Sequence, residues 1–274
     1  MSAPTTQAIS LVHPPPGTRV SRLAVVAALL FSLARESIVV AVGLPSPGWD
    51  LALGMASSLL ALVILGRVGL TGLRRPWRRP VRLVAVGPGL LRVPAAPAFG
   101  WLVAGLVLLL PVFDVPLAGA VDLLRDPEGP PGPLGYLLAA APLLLAALWL
   151  LPVVLLVVAV FGDRPRVDLT PAGLEIREQF GRRRIPWEAL APGTPVRQRS
   201  GASLLLRVVR PELIEGRGLV WSPVAAPRLW LGWLPVHPWF LADVLRFYVD
   251  HTEERAAIGT TAGNDRLCRA LSVG

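Results

Sequence analysis

Arg182, Arg183 and Arg184 follow Gly181 as three consecutive guanidinium groups, and Arg74, Arg75, Arg78 and Arg79 form a second basic run. A guanidinium stays charged at any physiological pH and presents a planar fork of donors to phosphate oxygens. Each such group near an anionic leaflet gains about 1 kcal/mol, so both runs are candidates for contact with lipid headgroups. A second constellation is Arg35, Glu36 and Asp114, ionisable residues inside otherwise apolar stretches. Charges there are costly to bury and mark function or pairing by default. Arg35 and Asp114 each fall near the middle of an apolar run, so an ion pair at matched depth is expected. Glu36, rotated by about 100° around a helix, is expected to face elsewhere. The alternative is a small transporter or channel subunit using Arg35 and Asp114, but an ion path needs more polar groups than Ser57, Ser58 and Asp122 supply.

Signals for catalysis are weak. The chain contains no G-x-S-x-G, no phosphate-binding P-loop and no H-E-x-x-H, and GPGLLR and GRGLVW are turn glycines without a following helix. His237 precedes Pro238 at an expected helix start, and His251 lies beside Asp250 near its end; such positions are ordinary for capping or surface histidines. Cys268 is the single cysteine, which excludes an internal disulfide framework and, with three scattered His, argues against a zinc cluster. No catalytic, cofactor-binding or metal site is expected.

The elements that must carry these residues are mostly apolar. The chain is 53% hydrophobic and 16% charged, against about 25% charged in an ordinary soluble domain. All 27 basic residues are Arg, and the sequence is rich in Ala, Leu, Pro and Gly, so part of the high isoelectric point reflects composition bias rather than a nucleic-acid surface. The C-terminal part, moreover, nearly balances its arginines with carboxylates, and no nucleic-acid partner is expected.

Residues 99–124 and 135–161 are each long enough to cross about 30 Å of hydrocarbon, which takes about 20 helical residues. The second, GYLLAAAPLLLAALWLLPVVLLVVAVF, has no charge on any face. Residues 23–43, which include Arg35 and Glu36, and the short run 51–66 are weaker spans. The turns LPSPGWD (44–50) and RDPEGPPGP (125–133) join them in pairs. The expectation is four transmembrane helices as two hairpins, 21–73 and 99–162, after a disordered leader at 1–20. Arg67, Arg74, Arg75, Arg78, Arg79, Arg82 and Arg92 place the linker 74–98 in the cytoplasm, since cytoplasmic flanks carry the basic excess. Both termini are then cytoplasmic, in a multi-pass protein of the inner or plasma membrane, and no cleaved signal peptide is expected. The linker's VRLVAVGPGLLRVP, residues 81–94, repeats the strand, glycine turn, strand pattern of PRVDLTPAGLEIRE; it is either a β-hairpin or an arginine-rich loop on the headgroups.

From Asp163 the apolar residues alternate: Val167 and Leu169, a turn at 170–173, Leu174 and Ile176, a turn at Gly181, then Ile185 and Trp187. Period two with Pro/Gly punctuation predicts a β-meander. Further strands are expected at 195–199, 203–209, 218–222 and 228–233. After His237 the spacing of Phe240, Leu241, Val244, Leu245 and Tyr248 predicts an amphipathic helix. Trp187, on the strand face of Ile185, is expected to be buried.

These residues also carry a family likeness. LTPAGLEIREQFGRRRIPWEAL (169–190) resembles the entry of bacterial PH-like domains: an L-T-x-x-G-L turn, an aromatic, a Gly-Arg-Arg turn and an Ile-Pro-Trp strand leading to an acid. FYVDHTEERAAIGT (247–260) is similar to the end of a subset of actinobacterial PH-domain multi-pass membrane proteins. The resemblance covers 163–262 and implies a C-terminal β-rich barrel of about seven strands closed by one helix, at 163–256, with a flexible tail at 257–274. It departs from the pattern where Pro192, Pro195, Pro211, Pro223 and Pro227 interrupt the later strands. The function implied is a membrane-tethered interaction or scaffold module, with anionic lipid headgroups and an unidentified protein as partners.

Overall fold

The computed structural model describes residues 16–42, 47–70, 83–113, 120–121, 124, 132–196, 203–219 and 222–272. The chain divides into two units, one of residues 20–68 and 100–158, the other of residues 1–19, 69–99 and 159–274.

The first unit is helical and apolar. Helices α1 (Pro16–Val42), α2 (Pro47–Val68), α3 (Pro97–Leu108) and α4 (Pro133–Phe161) supply it, α1, α3 and α4 running on into the second unit. Small residues let the helices approach closely: a Cβ on Gly100 would lie 2.6 Å from Ser21 Cβ, and one on Gly105 3.0 Å from the Leu65 side chain. α4 keeps its helix through Pro142 and Pro152, and Leu134, Leu137, Leu144, Leu148 and Leu151 point outward along it. Among the described residues α4 alone is long and apolar enough to cross a membrane, whereas Ala52–Val68 and Pro97–Leu108 are shorter apolar helices. Four membrane-spanning helices are therefore not supported at the level of the helices themselves. The third span falls short because α3 stops at Leu108 and gives way to a 3-10 turn at Leu110–Phe113.

The second unit is built on a six-stranded antiparallel sheet in the order β1 (Val84–Gly87), β2 (Leu90–Val93), β3 (Arg166–Thr170), β4 (Gly173–Arg177), β5 (Gly181–Pro186) and β7 (Glu215–Gly218). The linker segment is thus a β-hairpin, and the two hairpins of similar pattern lie side by side, Arg92 opposite Asp168 and Val93 opposite Val167. Alternation puts Leu91, Val93, Val167, Leu169, Leu174, Ile176 and Ile185 on one face, which forms the core. α5 (Pro238–Asp250) packs Leu241, Val244, Leu245 and Tyr248 into that core. Burial of this many aliphatic side chains, at about 1.5 to 3 kcal/mol each, is what holds the sheet to the helix.

Three details depart from expectation. The sheet is open: β6 (Ser203–Leu205) and β8 (Arg228–Trp230) form a separate two-stranded sheet instead of closing a barrel. The prolines explain the break, since Pro211 opens a 3-10 turn between β6 and β7, and Pro195 lies outside any strand. Trp187 is buried as expected but sits in a 3-10 turn, Trp187–Ala189, where Pro186 ends β5. Residues 261–272, expected to be a flexible tail, form helix α6 (Thr261–Ser272), because Ile258 and Leu267 are fully buried in the core and fix it there. Gly259, at φ 77°, brings this segment against the β1–β2 turn, where Gly89 donates its N–H to Ile258 O at 2.7 Å.

Candidate functional site

The three arginines at 182–184 lie within β5, not on a turn, and strand alternation divides them. Arg182 and Arg184 are exposed on the outer face, while Arg183 turns inward and is only 3% exposed. Its Nη1 donates to Ser222 Oγ at 2.9 Å and its Nη2 to the Ser222 carbonyl. Burial lowers the Arg183 pKa from its ordinary value, and the charge of Glu178 opposes that shift. Arg183 is therefore a tie between β5 and the segment before β8, and it is withdrawn from the expected headgroup contacts. Arg74, Arg75, Arg78 and Arg79 lie outside the described residues.

Register organises the outer face into rows. Arg166 pairs with Arg177, Arg177 with Arg182 and Arg182 with Arg217, so four strands contribute one arginine each to a single cross-strand row. The adjacent row reads Arg92, Asp168, Glu175, Arg184 and Glu215. The second row mixes signs, three of its four neighbouring pairs being opposite charges and Asp168–Glu175 alike, whereas the like charges of the first row repel. Two members of the arginine row are neutralised: Arg177 Nε donates to Glu175 at 2.8 Å, and Arg166 Nε lies 3.0 Å from Asp168 and its Nη1 3.3 Å from Asp163. Arg182 and Arg217 have no carboxylate partner among the described residues. With Glu175, Arg183, Arg184 and Glu215 they line a shallow hollow on the sheet. Arg217 was not legible as part of this site, since only the β5–β7 register brings it opposite Arg182.

The ion cluster at β2 and β3 is of a different kind. Asp168 is 3% exposed, accepts from Arg92 Nε at 2.6 Å and Nη2 at 3.3 Å, and sits beside Arg166. The Arg166 Nε is close enough to pair electrostatically but is not aligned for a hydrogen bond. Asp163 reaches both arginines, at 3.7 Å and 3.3 Å. This cluster rivets the linker hairpin to the rest of the sheet.

Around Trp187 the arrangement is structural. Its Nε1 donates to Thr170 O at 2.9 Å, its ring lies 6.0 Å from that of Tyr248, and the Arg255 guanidinium stands 5.7 Å from its centroid. Arg255 also donates to the carbonyls of Tyr248 and Val249, capping the C-terminal end of α5. Neither His237 nor His251 makes a side-chain cap at the helix start; His251 Nδ1 lies 3.0 Å from Phe247 O at its end.

In the helical unit Arg35 is 5% exposed, and its Nη1 donates to Glu36 Oε1 at 3.1 Å. Glu36 is exposed where Arg35 is buried, so the two side chains leave the helix on different faces and meet only at their charged ends. Asp114 and Asp122 lie outside the described residues. Ser57 and Ser58 both donate to Gly54 O, satisfying their hydroxyls within α2. Among the described residues no group of His, Cys, Asp and Glu is arranged to hold a metal ion.

Compared with known proteins, residues 164–223 match a bacterial PH domain. The matched stretch runs from β3 through β7 and contains the arginine row, whereas β1, β2, α5 and α6 lie outside it. No curated protein and no solved structure matches the chain.

Proposed function

We propose that this chain is a multi-pass membrane protein whose PH-like sheet is a cytoplasmic, membrane-tethered interaction module without catalytic activity. The observation that carries this reading is the discontinuity of the sheet. β2 and β3 are hydrogen-bonded neighbours, yet the apolar segment 97–161 lies between them in the chain. Strands of one sheet must lie on one side of a bilayer, so that segment crosses an even number of times. If α4 crosses, a second crossing belongs to the residues between Pro97 and the start of α4, which is the second hairpin read from sequence. The outward-facing leucines of α4, and the exposed Leu23, Leu30 and Leu33 of α1 and Leu59, Leu60 and Leu62 of α2, support lipid contact along these helices. Arg92, Arg164 and Arg166 at the flanks support the cytoplasmic side for the sheet.

The test uses Cys268, half-buried in α6 and the single thiol of the chain. Alkaline carbonate should leave the full-length protein in the membrane fraction. In cells stripped of any outer barrier, a membrane-impermeant maleimide should leave Cys268 unmodified until the membrane is permeabilised. Release by carbonate refutes the anchoring, and labelling before permeabilisation puts the sheet outside and ends the case for cytoplasmic partners.

A further inference from the structure

β7 is the last strand of the six-stranded sheet, and every residue of Glu215–Gly218 is exposed. Among the described residues no strand lies along its far edge. The phase of the ladder decides what that edge offers. Leu219 donates its N–H to Phe180 O at 3.2 Å, and successive peptide groups of a strand point to alternate sides. With Arg217 opposite Arg182 and Glu215 opposite Arg184, residues 215, 217 and 219 turn their N–H and C=O groups to β5, and Gly216 turns both of its groups outward. A Cβ built on Gly216 would meet no atom within 4 Å, so no side chain shields those groups. The two residues flanking it are opposite in sign. Glu215 leaves 73% of its side chain exposed, with Arg184 no nearer than 4.0 Å, and Arg217 stands opposite another arginine.

We infer that β7 pairs antiparallel with β7 of a second copy of this chain, in register about Gly216, so that two sheets join edge to edge around a twofold axis. In that register Gly216 meets Gly216 and the two exchange a pair of N–H to C=O hydrogen bonds, while Glu215 meets Arg217 of the second copy and Arg217 meets its Glu215. Positions flanking a hydrogen-bonded pair are of the non-hydrogen-bonded kind, with Cα atoms about 4.5 Å apart, so the opposite charges occupy the closer of the two spacings. The symmetry extends outward: Leu213, in the turn before β7 and 38% exposed, and Leu219, 57% exposed, are each three residues from Gly216 and come to the same ends of the joined strands. The pairing also brings a carboxylate beside Arg182 and Arg217, which lack one within the chain. Edge strands are commonly guarded by charge, and charges of one sign hold copies apart; one of each sign, spaced evenly about a glycine, does the reverse. A twofold contact asks only for such a self-complementary surface. The inference gives the interaction module a partner and rests on that reading only in using the sheet as a contact surface; neither anchoring nor sidedness enters.

The experiment uses the full chain carrying Cys268→Ser and Gly216→Cys in two versions with tags of different size, co-expressed and treated with a mild oxidant in unfractionated lysate. Hydrogen-bonded partners have Cα atoms about 5.5 Å apart, within disulfide reach, so a cross-linked dimer containing both tags should form. Arg207→Cys in place of Gly216→Cys, at an exposed site on another strand segment, should give none. Adding Arg217→Glu to both versions sets carboxylate against carboxylate at both flanking positions. The cross-linked fraction should then fall at least about tenfold, since each cross-strand charge pair is worth up to about fivefold and both are reversed. Adding Glu215→Arg to both should do the same. Arg217→Glu in one version and Glu215→Arg in the other re-creates two opposite pairs, and the mixed-tag dimer should return. Co-purification of one tag with the other, from chains that keep Gly216, should rank the charge variants in the same order without the new thiol. No cross-link at position 216, equal cross-linking at position 207, or no recovery in the mixed charge variants overturns the pairing and leaves the anchoring intact. Release by carbonate with the cross-link preserved overturns the anchoring alone.

Discussion

Removing the Asp168 carboxylate should open the seam between the linker hairpin and the rest of the sheet. Asp168 is 3% exposed and faces two guanidinium groups, Arg92 at 2.6 Å and Arg166 at 3.0 Å. Breaking a buried pair by deleting one partner costs about 3 to 5 kcal/mol, because the surviving charge is left uncompensated. Both arginines are partly solvated and keep Asp163 at 3.7 Å and 3.3 Å, so the lower end, about 3 kcal/mol, applies. That corresponds to an opening equilibrium raised by about a hundredfold. Hydrogen exchange of the full-length protein, followed by mass spectrometry over residues 90–93 and 166–169, reads this directly. Asp168→Leu should accelerate exchange there by about that factor, and Arg92→Leu with Asp168→Leu should be milder than Asp168→Leu alone. Acceleration below about threefold would mean that the cluster is worth no more than a surface ion pair, and the riveting argument would fail.

Tyr248 is fully buried and burial pushes its pKa up to about 12, with the Glu254 charge adding to the shift; the native state therefore holds its phenolic proton more tightly than the unfolded chain does. Stability from this group is complete below pH about 10 and is lost as pH rises towards 12, by roughly 2 to 3 kcal/mol, so denaturation curves of Tyr248→Phe should lack that alkaline decline. Trp187→Ala should cost about 3 to 5 kcal/mol, since it empties a site that is 1% exposed and removes the Thr170 bond; an unchanged melting temperature would contradict its place in the core. Gly259→Ala should destabilise the contact of α6 with the sheet, because its Cβ would fall on Gly87 O and 2.7 Å from Leu90 N at φ 77°; faster proteolysis after residue 257 is the expected sign.

Local patterns were legible where they depended on neighbours in sequence. The alternation of Val167, Leu169, Leu174 and Ile176, and the helical spacing from Leu241 to Tyr248, fixed which faces are buried, and both faces are core in the structure. The repeat between residues 81–94 and the start of the PH-like part was visible, but whether it was a hairpin could not be settled without a partner strand. Pairing decides such questions, and the partner is more than seventy residues away. The same holds for the arginines. A run of three consecutive residues reads as one patch, yet a strand sends the middle one inward, and Arg183 exchanged its expected role for a buried bond to Ser222. Arg217 joined the row through register alone. The C-terminal helix was missed because its polar sequence hides a narrow buried stripe around Leu267.

The divided sheet also sets an order of events during synthesis. β1 and β2 leave the ribosome first, and a lone two-stranded hairpin is marginal in water. Its neighbour β3 begins only after the whole of α3 and α4 has been made. At about 5 to 20 residues per second the hairpin waits for several seconds with its β2 edge unpaired. Completion of the fold is thereby made conditional on β3 being brought back beside the waiting hairpin. A chain in which the segment 97–161 leaves β3 elsewhere has β2 without β3, Arg92 without Asp168, and an open strand edge of the kind that quality-control proteases and aggregation both find.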